Sequence, residues 1–561
     1  MGLLAAGEYL MYGDARDKME KKLQEKELMS NPATPHGTTP PRTPGDPSPP
    51  IFSPGILTPG QYSPRPASHT PTSTRPPSNL ASPTIPRSPR FRSPRFLTPL
   101  GTPMRKVFTS MKQYLEDIGH ITKLNPHDAW LPVTESRNGN AFYSAFHNLN
   151  AGIGFQALLL PVAFTFLGWS WGIITLLFAF IWQLYTLWIL IKLHEAVPGT
   201  RYNRYVELAK AAFGERLGPG LVIFPVFNLS AGTASSLIII GGSTLKLFYE
   251  VVCGPTCQNG PLTAFEWYLV FAVLCAIVAQ LPNLNSIAYV SLIGAVMAVA
   301  YTTMVWTLSI SKARPEGISY EIVRPESSTA TAFSVLNALG LIAFAFRGHN
   351  LVLEIQATMP STLKHPSHVP MWKGAKGAYA VVAFCYFPMA IGGYWAYGNK
   401  MLPSGILSSL SVYHQDISPV LLGLTFLFVV LSSLSSFQIY SISVFDSFEQ
   451  TYSGKTNKPC PKLVRLAFRL FFVFFSYFIG IALPFLASLG GLFGGLTSIP
   501  VTFMYPCFMW LSIKKPSKYS LSWYLNWTLG ILGIVFMIAI STGGVWSVIY
   551  TGLKVRFFKP L

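Results

Sequence analysis

From residue 141 onward, apolar runs alternate with short polar breaks, and several of the runs approach the length of about twenty residues that a helix needs to cross a bilayer. The pattern predicts eleven spans, near 143–166, 169–192, 219–247, 263–281, 284–310, 331–355, 375–397, 418–445, 465–488, 490–512 and 522–549. Between the second and third, PGTRYNRYVELAKAAFGERLG puts Tyr205, Leu208, Ala212 and Phe213 on one helical face, as in an amphipathic helix lying at a membrane surface. Residues 31 to 106 have no comparable period: they are mostly Pro, Ser, Thr and Arg and cannot bury a core. The expected organisation is a disordered tail over 1–106, a juxtamembrane segment over 107–140 and a transmembrane domain over 141–561.

Composition agrees with an all-α integral membrane protein. Half of the 561 residues are hydrophobic and only 12% are charged, where soluble domains carry about 25%. The net charge of +19 does not indicate nucleic acid, because 17 of the 42 Lys and Arg lie in the first 140 residues and nearly all the others in short loops. With the N-terminus placed in the cytoplasm, sixteen loop Lys and Arg fall inside and eight outside. That bias predicts a cytoplasmic N-terminus and, after an odd number of crossings, an extracellular C-terminus. The same topology puts Cys253 and Cys257 outside, where they could form a local disulfide. Thirteen Ser-Pro or Thr-Pro steps make the tail a candidate for protein kinases, whose phosphates would offset its basic charge. Near the start, EYLMYGDARDKMEKKLQEKE has no apolar core, so no signal peptide is expected. No span holds spaced His, Asp or Glu sets suited to a metal or an acid–base pair, so neither an enzyme nor a metal site is expected.

Two spans contain residues that a plain membrane helix would avoid. The first reads HNLNAGIGFQALLLPVA, and the sixth contains AFAFRGHNLVLE. Helices break at membrane depth only where protein or a cavity satisfies the freed backbone groups. Breaks in the first and sixth spans divide the first ten into five plus five, the pattern of two inverted repeats followed by an eleventh helix. In transporters such paired breaks frame the substrate site. The candidates here are Asn150, Gly152, Ile153, Gly154, Phe155 and Gln156 in the first break, and Phe346, Arg347, Gly348, His349 and Asn350 in the second. Close helix packing is the alternative for Gly152 and Gly154. Arg347 is the one Lys or Arg deep inside an expected span. It is a candidate for holding a carboxylate, with Glu354 the alternative structural partner, seven residues on and about 10 Å along a helix axis. His147 and His349 are proton-coupling candidates, with buried structural histidines as the alternative.

These segments also carry a family resemblance. NAFYSAFHNLNAGIGF, HEAVPGTRYNRYVELAKAAFGE, LPNLNSIAYVSL, GHNLVLEIQATMPST and SSFQIYSISVFDSFE resemble the lysine/histidine transporter group of plants, in the amino acid/auxin permease family of the amino acid-polyamine-organocation superfamily. The resemblance spans residues 125 to 560, and the Pro-rich tail is similar to that of a long-tailed subgroup. It implies proton-driven amino acid import across the plasma membrane on a broken-helix, inverted-repeat fold, with a proton gradient and no cofactor. Three departures stand out against the family pattern. Gln156 and Leu159 replace two glycines of Gly-x-Gly-x-x-Gly-x-Pro, Arg347 replaces a small residue, and Ser432 stands where relatives carry a histidine. A fixed cation gained and bulk added favour neutral or acidic amino acids over long cationic ones. A transporter-like sensor with little flux, or a carrier of another carboxylate such as an auxin-like compound, are the alternatives.

Overall fold

The computed structural model describes residues 126–254, 262–325, 327–362, 364–483 and 489–550. The tail over 1–106, most of the juxtamembrane segment, and Cys257 lie outside them. Every regular element among the described residues is helical. In chain order these are α1 (Ala141–Gly152), α2 (Leu160–Leu193), α3 (Tyr205–Phe213), α4 (Leu217–Phe227), α5 (Thr233–Cys253), α6 (Ala264–Val278), α7 (Ala288–Ser311) and α8 (Ser328–Ala345). Then come α9 (Val352–Ala357), α10 (His368–Tyr397), α11 (Ile406–Tyr413), α12 (Pro419–Thr456), α13 (Lys462–Ala482), α14 (Gly490–Phe493), α15 (Tyr505–Lys514) and α16 (Leu521–Tyr550).

Nine helical stretches among the described residues are long and apolar enough to cross a membrane. The two expected spans missing from that count have local causes. The fourth, α6, is apolar but only 15 residues long, short of the roughly twenty that a full crossing takes. The first is broken, and its second half runs into the second span as α2. Within α2, Gly168 (φ 67°, ψ −174°) marks the bend where the expected first span ends and the second begins. That backbone conformation strains any residue with a Cβ.

Two further helices change pitch. α4 joins α5 through a π turn at Asn228–Gly232, shortly after Pro225, and α14 joins α15 through a longer π stretch, Gly494–Met504, that contains Pro500. Proline removes the N–H that would have bonded the carbonyl a turn earlier; at Pro225 the freed Leu221 carbonyl accepts from the Tyr505 hydroxyl at 3.0 Å.

The broken segments sit at the centre. α1 packs against α7, α10 and α12, while α8 packs against α2, α16 and the 494–504 stretch. The outer faces are apolar and exposed: Trp171 and Ile174 on α2, Phe471 and Phe474 on α13, Val535 and Ile538 on α16. That is the reverse of a soluble surface and suits contact with lipid. The expected surface helix, α3, instead turns its apolar face onto protein. Tyr205 and Leu208 are buried, Ala212 and Phe213 half-buried, and the Tyr205 hydroxyl donates to the Val501 carbonyl at 2.9 Å. Cys253, at the end of α5, is disulfide-bonded, while Cys275, Cys385, Cys460 and Cys507 are buried free thiols.

Candidate functional site

Both expected breaks are present. α1 begins under a cap from Asn140, whose side chain accepts from Phe142 N and Tyr143 N, and it stops at Gly152. Ile153 (φ −100°, ψ 109°) and Gly154 (φ −132°, ψ −176°) are extended, and the chain resumes in a 3-10 turn, Phe155–Leu159. α8 stops at Ala345 and the helix restarts only at Val352. Gly348 in that gap has φ 107°, which explains a glycine beside three polar side chains.

Unwinding frees carbonyls, and neighbouring helices supply donors for them. Tyr440 donates to Ala151 O at 2.7 Å, Ser436 to Asn150 O at 3.2 Å, and Thr502 to Phe346 O at 3.2 Å. The Tyr386 hydroxyl lies within reach of both Gly152 O and Ala345 O. It has one proton to give, so it serves one carbonyl at a time and ties the ends of α1 and α8 through a single side chain.

Between the two breaks lies Arg347, 1% exposed. Its Nη1 donates to Thr233 Oγ1 at 2.9 Å, and the guanidinium sits 4.8 Å from the Tyr440 ring centre, 5.3 Å from Phe155 and 5.9 Å from Phe344. Among the described residues, Nε and Nη2 have no partner and no carboxylate pairs with the group. Those two nitrogens form the side-on edge of a guanidinium, the edge that grips a carboxylate with two parallel hydrogen bonds. The Arg347 and Gln156 side chains both reach against Gly154, where a Cβ would collide with each of them. Gln156 is fully buried and neither atom of its amide is bonded.

The expected residues therefore separate into groups. Gly154, Phe155, Gln156 and Arg347 meet at one place, and Gly152 joins them through the Tyr386 tie. Ile153 is core, and Phe346 packs its ring on Phe180 and Tyr386. Asn150 fastens α1 to α12, donating to Ser435 Oγ at 2.9 Å. Asn350 donates to Ser230 Oγ at 3.0 Å. His349 turns toward α2, with Nε2 3.1 Å from the Gln183 carbonyl, and His147 Nδ1 lies 2.8 Å from Ser291 Oγ. Ser432 is buried on α12, a turn before Ser435 and Ser436. Glu354 is not the partner of Arg347: it accepts from Ser443 Oγ at 2.7 Å. The unwound stretch between the two residues removes the helical spacing on which that pairing depended. Thr233, Tyr386 and Tyr440 escaped the sequence reading: Thr233 (in SAGTASS) and Tyr440 (in SSFQIYSIS) are not distinguished from the hydroxyls beside them, and Tyr386 is a lone hydroxyl in an apolar run. A separate cavity of about 690 Å³, lined by Trp171, Phe178, Trp182 and Phe503 among others, is mostly apolar and touches none of these residues.

At one end of the bundle the motif HEAVPGTRYNRY supplies an ionic cluster that joins distant segments. Arg204 pairs with Asp446 on α12 and with Glu207 at 2.7 Å; Asp446 also accepts from Val133 N at 3.1 Å. Asp128 holds Arg137 at 3.2 Å and accepts from Asn203 at 3.0 Å. Glu195 pairs with Arg201 at 3.1 Å and accepts from Ser361 and Ser367 at 2.9 and 2.8 Å. Burial works to raise the Glu195 carboxyl, but His194, Arg201 and the Ser367 hydroxyl outweigh it and hold the group below the usual carboxylate range.

Comparison with known proteins matches residues 137–550 to the family described as transmembrane amino acid transporter protein. Lysine histidine transporter-like 8 of Arabidopsis thaliana is 66% identical over 464 residues, covering 82% of this chain and 89% of that protein. Lysine histidine transporter-like 7 from the same plant is 42% identical, covering 78% and 90%. Among solved structures, a Na+-coupled sialic acid symporter aligns at 13% identity and a TM-score of 0.45, over 82% of this chain and 98% of that one. With the family match running through both breaks and on to the last helix, the chain belongs to the transmembrane amino acid transporter family.

Proposed function

We propose that the chain is a secondary active transporter that imports neutral or acidic amino acids across the plasma membrane, driven by a proton gradient. The observation that carries this reading is the unpartnered Nε–Nη2 edge of buried Arg347. A buried guanidinium left half-bonded is costly unless a ligand completes it, and the α-carboxylate of an amino acid fits that edge. Phe155, Phe344 and Tyr440 supply ring faces around it. The names of the relatives point to lysine and histidine, but a fixed positive charge and the bulk of Gln156 disfavour a second cation in this place. This reading has the N-terminus in the cytoplasm, which the bias in loop charges supports, with the Ser-Pro and Thr-Pro tail there as a kinase target. A panel of radiolabelled amino acids taken up by proteoliposomes, with and without a pH gradient, tests the reading. Neutral and acidic members should accumulate and the gradient should raise their plateau. Preference for lysine or arginine would overturn the substrate assignment, and binding without flux would favour a sensor.

A further inference from the structure

A cavity of about 640 Å³ opens between α3, α4 and α12, and at its inner wall is a carboxylate that nothing above employs. Its lining includes Arg204, Glu207, Lys210, Ser230, Ser443 and Glu354. Glu354 is 5% exposed, its Oε1 accepts from Ser443, and its Oε2 has no partner among the described residues. The charged groups that face it are Arg204 and Glu207 beside α3 and Asp446 on α12. Arg204 already serves Asp446 and Glu207, and Lys210 pairs with Glu215 at 3.4 Å. The apolar walls from α4 and α13 (Ile223, Val226, Phe227, Phe468) bring no charge. Glu207, Asp446 and, at 4.0 Å, Asp128 thus already share the one guanidinium that faces Glu354, and Glu354 is left with a single hydroxyl donor among the described residues.

The cavity also touches the substrate break. Ser230 lines it and accepts from Asn350, the last polar residue of the unwound segment, and α9, which carries Glu354, starts directly after that segment. Neither His147 nor His349 lines this cavity: their rings face Ser291 and the Gln183 carbonyl, although His349 belongs to the break itself.

We propose that Glu354 is the proton-binding group of the transport cycle, taking one proton from cavity water on Oε2 and returning it to water when the cycle turns. The carboxylate and a hydronium ion become a carboxylic acid and a water, and no other bond changes. Protonation removes the charge of a carboxylate whose facing cation, Arg204, is paired elsewhere, and through α9 and the Asn350–Ser230 contact it biases the substrate break.

The coupling half of this inference rests on the transport reading; the proton-binding half does not. Difference infrared titration of the purified protein, with protons as the only ligand, should show a carboxyl band in wild type that is missing in Glu354→Gln. In proteoliposomes with radiolabelled L-alanine, Glu354→Gln should lose at least tenfold in pH-driven accumulation, while alanine exchange, which needs no net proton movement, falls far less. Ser443→Ala removes the one donor to the carboxylate among the described residues. It should move the midpoint of the accumulation-versus-pH profile upward by about half a unit or more, because a hydrogen bond to the charged form favours that form. A carboxyl band that titrates unchanged in Glu354→Gln, accumulation by that variant within twofold of wild type, or an unmoved Ser443→Ala profile would each overturn the proposal. If wild type neither accumulates nor exchanges alanine, the transport reading fails for that substrate, and the infrared titration alone decides whether Glu354 binds the proton.

Discussion

Replacing Arg347 by Gln separates a ligand-binding arginine from a structural one. The change removes one hydrogen bond from a charged donor to Thr233, worth about 1.5–3 kcal/mol. It also removes contacts with three aromatic rings, worth about 2 kcal/mol when desolvated. Against these stands the cost of keeping an unpaired charge away from water, which amounts to several kcal/mol per ion. The terms nearly cancel, so the stability of the empty protein should change by no more than about 2 kcal/mol in either direction. Binding should respond differently. A carboxylate on the Nε–Nη2 edge is a buried charged pair, and deleting one member of such a pair costs about 2–5 kcal/mol, or roughly 30-fold to several thousand-fold in Kd.

The assay pairs thermal unfolding of the purified, ligand-free protein with equilibrium binding of radiolabelled L-alanine, competed by L-alaninamide. The amide has no carboxylate, so wild type should strongly prefer alanine, and Arg347→Gln should lose most of that preference. An alanine affinity within threefold of wild type with the preference intact would refute the reasoning. A large loss of stability with unchanged binding would make Arg347 a structural cation instead.

Gly154→Ala drives a Cβ into the ends of the Arg347 and Gln156 side chains; both can swing away, so alanine binding should weaken at least tenfold while the unfolding temperature hardly moves. Gly348→Ala has room for its methyl, the nearest atoms being 3.5 Å away, and should cost only the strain of a positive φ, about 1–2 kcal/mol, read by thermal unfolding. Glu195→Gln should cost about 2 kcal/mol at neutral pH by breaking charged hydrogen bonds. Because the folded carboxyl is held below its ordinary value of 4.5, its stabilisation is complete above that pH and lost as pH falls through the folded value. The gap between wild type and Glu195→Gln in a pH series of unfolding midpoints should therefore stay constant down to about pH 4.5 and close only below it.

The helical architecture was largely legible because lipid leaves little choice. Apolar runs must become helices, and breaks must coincide with Gly and polar clusters. The bend at Gly168, in LGWSWG, falls in the expected gap between 166 and 169. What was less legible is helix length and pitch. α6 is shorter than its expected span, and the two π segments follow or contain Pro225 and Pro500 and pack on neighbours that periodicity does not report.

The site was legible as two segments but not as a geometry. Arg347 drew notice because a lone cation in an apolar run is costly, and that reasoning needs no fold. Its pairing with Glu354 assumed an unbroken helix through the very residues whose glycine and polar content argued for a break. The two readings of FRGHNLVLE were in conflict, and the break prevails: Gly348 takes a positive φ, the register is lost, and the two charges go to different surroundings. Arg347 is left with an unpartnered edge among aromatic rings, and Glu354 with a buried, unpartnered oxygen beside a cavity. A continuous helix would have allowed the pair to cancel on one face. Breaking it leaves each charge to be completed by something that arrives from outside, a carboxylate for one and a proton for the other. That division is what the paired measurements on Arg347→Gln and Glu354→Gln resolve: the first should lose the substrate and keep the proton, and the second should do the reverse.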